Sequence, residues 1–216
     1  MMQDFWSPVF LSIKVSVMAV IFTAICGTLA GKWMSGKSFK GKIALETILM
    51  IPLVLPPTVV GLMLIVVFGS QSFIGKMFGA FQQSVMFTWW AAVISSIVVA
   101  FPLMFQSARQ AFLSVDRDIT NAARVDGAGE WKVFWMVEIP LAIRQLASGV
   151  VLSFTRGFGE FGATLMFAGN IPGKTQTVPV AIYVAYETGD MQKLWLWVAV
   201  SIIISFFFLW MSSRLK

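Results

Sequence analysis

The chain has 216 residues, 58% hydrophobic and 14% aromatic, with only 12% charged and a formal net charge of +6; soluble domains run at about 45–50% apolar and about 25% charged. Twenty Phe, nine Trp and a mean hydropathy of +0.82 exceed what a core of this size can hide, which excludes an ordinary soluble domain and makes the bilayer the solvent. The absence of His and the single Cys26 exclude metal triads, His-based catalysis, an internal disulfide and a Cys metal cluster.

Five stretches are apolar enough to cross the ~30 Å hydrocarbon layer, which takes about 20 helical residues. They run approximately from Pro8 to Met34, Ile43 to Phe68, Val85 to Ala108, Leu141 to Phe161 and Leu194 to Met211, within a unit of residues 8–212. The first lacks a basic leader and a small-residue cleavage signature, so it reads as a retained helix. Its Lys14 lies about six residues from the outer end, roughly 9 Å by helical rise, within reach of the headgroups. At its inner end Gly31-Lys32-Trp33-Met34-Ser35-Gly36-Lys37-Ser38 satisfies the phosphate-loop pattern. That loop needs a strand before it and an α/β domain around it, whereas this octet joins two membrane helices. A basic connecting loop is the expectation.

The second span carries Pro52, Pro56 and Pro57 within Ile51-Pro52-Leu53-Val54-Leu55-Pro56-Pro57-Thr58. Each Pro removes an amide donor and clashes with the preceding turn, so this helix is expected to bend or break. The break serves as a packing kink or lines a pathway through Pro56 and Pro57.

Basic residues sort by loop. Lys32, Lys37, Lys40 and Lys42 flank the first connection; Arg109, Arg117, Arg124 and Lys132 mark the third, with Arg144 just beyond; Arg214 and Lys216 end the tail. The alternate loops hold Lys76, Lys174 and Lys193. Basic residues near span ends stay in the cytoplasm, which places the amino terminus outside and the carboxy terminus inside, a parity that five spans satisfy.

The third connection, residues 114–139, is cytoplasmic and does not have the composition of a disordered linker. Asp118 is expected to cap a short helix through Val125, Gly127 and Gly129 to redirect the chain, and a second helix from Glu130 to reach the membrane at Pro140. The first helix has a small apolar face of Ile119, Ala122, Ala123 and Val125. A face made mostly of Ala buries too little area to hold a helix on the leaflet, so docking into a protein groove fits better.

Asn121-Ala122-Ala123, three residues, Gly127, nine residues and Val137-Glu138-Ile139-Pro140 resembles the Glu-Ala-Ala…Gly…Ile-x-Leu-Pro signature of ABC importer permeases, with Asn121 in place of the Glu and Val137 and Ile139 as conservative replacements. The resemblance implies an all-α membrane protein with the type I importer permease fold. It further implies a coupling helix that enters a cleft of an ATPase subunit, carried here by Asn121, Ala122, Ala123, Asp126, Gly127, Ile139 and Pro140. Two more segments resemble the molybdate branch of that family: residues Ile51 to Pro57, and Gly159-Glu160-Phe161-Gly162-Ala163-Thr164 with Asn170 through Pro179.

The implied assembly is a homodimer of the permease in the inner membrane, with two ATP-binding cassette subunits that hold ATP and Mg and an extracytoplasmic oxyanion-binding protein. No cofactor, metal, catalytic residue or nucleic acid is expected on this chain. Tungstate and sulfate or thiosulfate permeases share the outline. An ion-coupled secondary transporter is the alternative of another class, but those commonly carry internal repeats, and the sequence shows none.

The fourth span is the most polar, with Ser148, Ser153, Thr155, Arg156 and Glu160. A charge at the bilayer centre costs about 2.5–3.5 kcal/mol, so Arg156 and Glu160 should face protein or water. One helical turn apart, they either pair structurally or offer the anion a restrained cation. Pro56, Pro57, Ser153, Arg156, Glu160 and Thr164 are the candidate route. Beyond it, Gly162 to Gly169 extends or unwinds the helix, and Pro179 starts a short outer helix through Tyr186. By resemblance, this external loop contacts the binding protein.

Overall fold

A computed structural model describes residues 2–80 and 84–214, which contain helices and no strand. Among the described residues four helical stretches are long and apolar enough to cross a bilayer: α1 (Met2–Ser35), α5 (Trp89–Leu113), the continuous stretch Glu130–Phe158 that ends in α8 (Ile139–Phe158), and α11 (Met191–Ser213). The stretch expected as the second span is two helices, α2 (Lys42–Val54) and α3 (Pro57–Phe68), bent by 114°. At 13 and 12 residues, each is under about 20 Å long and neither crosses alone. Pro56 sits extended at the corner (φ −53°, ψ 134°) and Pro57 opens α3, where its missing amide costs nothing. Pro52 stays inside α2.

The bent pair nevertheless carries the chain across. Lys14 of α1 stands over the Trp89 ring at 4.5 Å, and a methyl added at Gly31 would lie 2.7 Å from Ala108 Cβ. Matching ends in the same order make α1 and α5 parallel, so the segment between them must return from one face to the other. The Lys14 ammonium thus rests on an indole face, in addition to whatever headgroups it reaches.

Beyond α5 lie α6 (Arg117–Val125) and α7 (Glu130–Val133), then one π-helical turn (Phe134–Glu138) that runs into α8. The fourth span begins two residues earlier than the hydropathy suggests and stops at Phe158, three residues short, where Gly159 turns the chain into α9 (Gly162–Phe167). The outer helix α10 (Val178–Thr188) starts one residue before Pro179, and α4 (Phe73–Ala80) precedes α5.

Close packing of α1, α5 and α8 comes from small residues. Gly149 of α8 abuts Ser107 of α5, where a Cβ would meet the Ser107 Cβ at 2.6 Å, and Ala91, Ala92, Ala100, Ala108 and Ala111 of α5 are fully buried. In lipid no hydrophobic gain separates helix from lipid contact, so interhelical packing of this kind holds the bundle. Helix α8 is antiparallel to α5: Ser153 donates to the Ala100 carbonyl and Ser96 to that of Gly157. Along α11, Ile202, Ile203, Phe206, Phe207 and Trp210 remain exposed, a surface suited to lipid.

Candidate functional site

Asp116, rather than Asp118, caps α6: its carboxylate accepts from the Asp118 amide at 2.8 Å. The helix begins two residues earlier than expected because Asp116 is extended (φ −63°, ψ 127°) while Arg117 is already helical. At the other end Ala128 N–H donates to the Ala123 carbonyl and Gly127 N–H to that of Arg124, both at 3.0 Å. This is the paired C-terminal bonding that a left-handed residue permits, and Gly127 supplies it at φ 85°. Arg124 then clasps Glu130 across the turn through Nε at 2.6 Å and Nη2 at 3.1 Å, with Nη1 on Asn121 Oδ1 at 3.1 Å. The hydrogen bonds that Arg124 donates to the Glu130 carboxylate raise the Arg124 pKa above its ordinary value.

The clasp fixes α6 as a prong. Asn121, Ala122, Asp126 and Gly127 are exposed, Ala123 is half-buried, and Val125 is 87% exposed with Ile119 at 47%. A Cβ added at Gly127 or Gly129 would meet nothing within 4 Å. Ile139 and Pro140 stand apart from this tip: Ile139 packs against the core of α5 and α8, and Pro140 lies in the first turn of α8.

Two ion pairs tie the cytoplasmic ends together. Lys32 at the end of α1 bonds the buried carboxylate of Glu138 in the π-turn, and Arg109 of α5 meets Glu46 of α2 at 2.9 Å. The Gly31–Ser38 octet is helical through Ser35, with Gly31 pressed on α5 and Lys32 committed to Glu138. It forms no loop around a phosphate.

Arg156 and Glu160 do pair, Nη1 to Oε2 at 2.7 Å, with the Glu160 side chain 1% and the Arg156 side chain 28% exposed. The second Glu160 oxygen accepts the Ala163 amide at 2.8 Å, so this carboxylate caps α9 while holding the guanidinium. Gly162 touches the broken span, since a Cβ there would lie 3.0 Å from Pro57 Cβ. The fold therefore brings Pro57, Glu160 and the start of α9 to one junction near the outer side. Thr164 is buried there with an unpartnered hydroxyl, and Pro56 is exposed at the corner. Ser153 is fully buried against α5, whereas Arg156, three residues on, is half-buried.

The Arg156 face of α8 extends well beyond the residues that the sequence suggests as a route. Leu141, Arg144, Gln145, Ser148, Leu152, Thr155, Arg156 and Gly159 are exposed or half-buried and recur every three or four residues, which puts them on one side of α8. The lower part of this strip, with Ser107 and Gln110 of α5, lines an open cavity of about 550 Å³. The 3.6-residue recurrence of polar groups was the available signal; total polarity concealed it.

The family model for binding-protein-dependent transport system inner membrane components matches residues 9–215. The putative molybdenum transport system permease protein YvgM of Bacillus subtilis is 58% identical over 215 residues, covering 99% of this chain and 95% of the relative. The molybdenum transport system permease protein ModB of Escherichia coli K12 is 42% identical over 184 residues, 85% of this chain and 80% of that one. Relatives named as sulfate permeases stand lower, at 30% and 32% identity. Among solved structures, an inward-facing MetNI methionine ABC transporter aligns with a TM-score of 0.75 at 15% identity, covering 99% of this chain and 95% of that one.

Proposed function

We propose that this chain, which belongs to the family of binding-protein-dependent transport system inner membrane components, is the permease subunit of an ATP-driven molybdate importer. The observation that carries the substrate is the 58% identity, across nearly the whole of both chains, to a relative named for molybdenum transport. Relatives named for sulfate lie near 30%, which favours molybdate over that alternative.

Two copies of the chain would form the importer, each engaging one ATPase subunit through the α6 prong. Hydrolysis belongs to those partners, and an extracytoplasmic binding protein would deliver the anion. The prong is mechanically continuous with the bundle: the Arg124–Glu130 clasp ties α6 to α7, and α7 runs through the π-turn into α8 without a loop. A displacement of the prong therefore rotates or translates α8 as a rod, the kind of packed-helix shift that alternates access between faces. Arg144, Gln145, Ser148 and Thr155 on that rod offer hydrogen bonds spaced along the membrane. Spaced, weak contacts suit passage, because a single tight site would retain the anion.

Deleting the chromosomal copy and measuring molybdate accumulation at low external concentration tests the assignment. Accumulation should fall to background, recover with the wild-type chain and resist competition by excess sulfate. Unaltered accumulation, or full competition by sulfate, would remove molybdate as the cargo. Uptake that persists without any ATPase subunit would instead point to an ion-coupled transporter.

A further inference from the structure

Between the inner end of α1 and the base of α6 lies a cavity of about 220 Å³ that the transport reading does not use. At roughly 30 Å³ per water in the liquid, it has room for a small hydrated or tetrahedral ion. Its charged lining is Lys32, Arg117 and Arg124 against the single carboxylate of Glu138. Glu138 is already compensated by Lys32, and Arg124 by Glu130 outside the cavity. Arg117 is exposed and makes no ion pair among the described residues, so no carboxylate among them engages its fork of donors.

Asn121 adds a directed donor. Its Oδ1 faces Arg124 Nη1 at 3.1 Å, which leaves the amide NH2 turned away from that guanidinium and without a protein partner among the described residues. Two further N–H groups of the Lys32 ammonium remain beyond the one given to Glu138. Guanidinium, ammonium and amide groups that line one small polar space suit an oxyanion with several acceptor oxygens. Trp33, next to Lys32 in the chain, and Trp131 and Trp135, just before Glu138, are exposed, as Trp at the headgroup level commonly is, so a lipid phosphate and a soluble anion are both candidate sources.

We infer that this cavity is a cytoplasmic binding site for a tetrahedral oxyanion of the phosphate class, held by Arg117, Lys32 and Asn121. Occupancy joins α1 to α6 and so restrains the prong against the bundle. The inference is independent of which cargo the route carries.

Full-length protein in phosphatidylcholine nanodiscs, titrated calorimetrically with inorganic phosphate, tests it. One saturable site per chain is expected, weakened about tenfold or more by Arg117→Ala and by Asn121→Glu, each removing or opposing a charge-assisted bond. Arg214→Ala, at the cytoplasmic end of α11, should leave it intact. Replacing part of the lipid with phosphatidylglycerol then identifies the source. Phosphate affinity that falls as that lipid is added assigns the site to lipid phosphate, and unchanged affinity assigns it to the free anion. Absence of both phosphate binding and phosphatidylglycerol retention would overturn the proposal, as would binding kept at full strength in both cavity variants.

Discussion

Glu160 is the residue whose surroundings most constrain its role. Its carboxylate is buried, bonds Arg156 and caps α9 through Ala163, so removing Arg156 alone leaves a buried charge without its partner. Breaking a buried pair this way costs about 3–5 kcal/mol; because Arg156 is 28% exposed, the cost here should be smaller. Arg156→Ala is therefore expected to lower the melting temperature of the detergent-solubilised protein. Arg156→Ala/Glu160→Gln, which keeps an acceptor for the Ala163 amide and removes the stranded charge, should restore most of it. If the cation also touches the passing anion, the double variant will be stable yet transport poorly. Normal uptake by the double variant would confine Arg156 to a structural role, and a double variant no more stable than the single one would show that the pair is not what holds this junction.

At the scale of elements, α6 and its turn were largely legible, because capping and redirection are local chemistry. The small-residue face, Gly127 as the turning residue and Glu130 as the start of the next helix all follow from side-chain size and backbone freedom within a dozen residues. The cap was misplaced by two residues because Asp116 and Asp118 are equivalent as acceptors, and only the backbone angles of Asp116 separate them. The Lys32–Glu138 and Arg109–Glu46 pairs carried no sequence signal, since each joins residues far apart in the chain. Gly127 gives the element its test. Its φ is 85° and a Cβ would contact nothing, so substitution is penalised through the backbone alone, by about 1–2 kcal/mol for an ordinary L-residue. Asn tolerates this conformation, so co-purification with the ATPase subunit should decline in the order Gly127→Asn, Gly127→Ala, Gly127→Val, with the chain inserted normally in each case. Equal recovery across the series would mean that the prong's direction does not govern docking. Ala123→Arg, which enlarges the half-buried docking face directly, should abolish recovery.

For the molecule as a whole, the decisive question is how its exposed surface divides between lipid and water. Hydropathy located the spans but could not assign their faces, because a lipid-facing Phe and a core Phe contribute equally to a window average. The second span shows the same limit: its composition reads as one crossing, while the Pro56 corner splits it into two short helices whose joint crossing follows only from the parallel packing of α1 and α5. The fold sets two exposed surfaces at comparable depth, the polar strip of α8 and the aromatic-rich side of α11. If the strip lines a wet route at a two-fold interface, then single cysteines at Ser148 and Thr155 will react with a membrane-impermeant thiol reagent in inside-out vesicles. Those at Ile203 and Phe206 will not. The exposed Cys26 must first be replaced by Ala so that each variant reports one site. Reaction at Ser148 should also change between nucleotide-free vesicles and vesicles trapped with a non-hydrolysable nucleotide, because α8 moves with the prong. Equal protection of all four positions would place the α8 strip inside a dry contact and would require the anion to pass elsewhere.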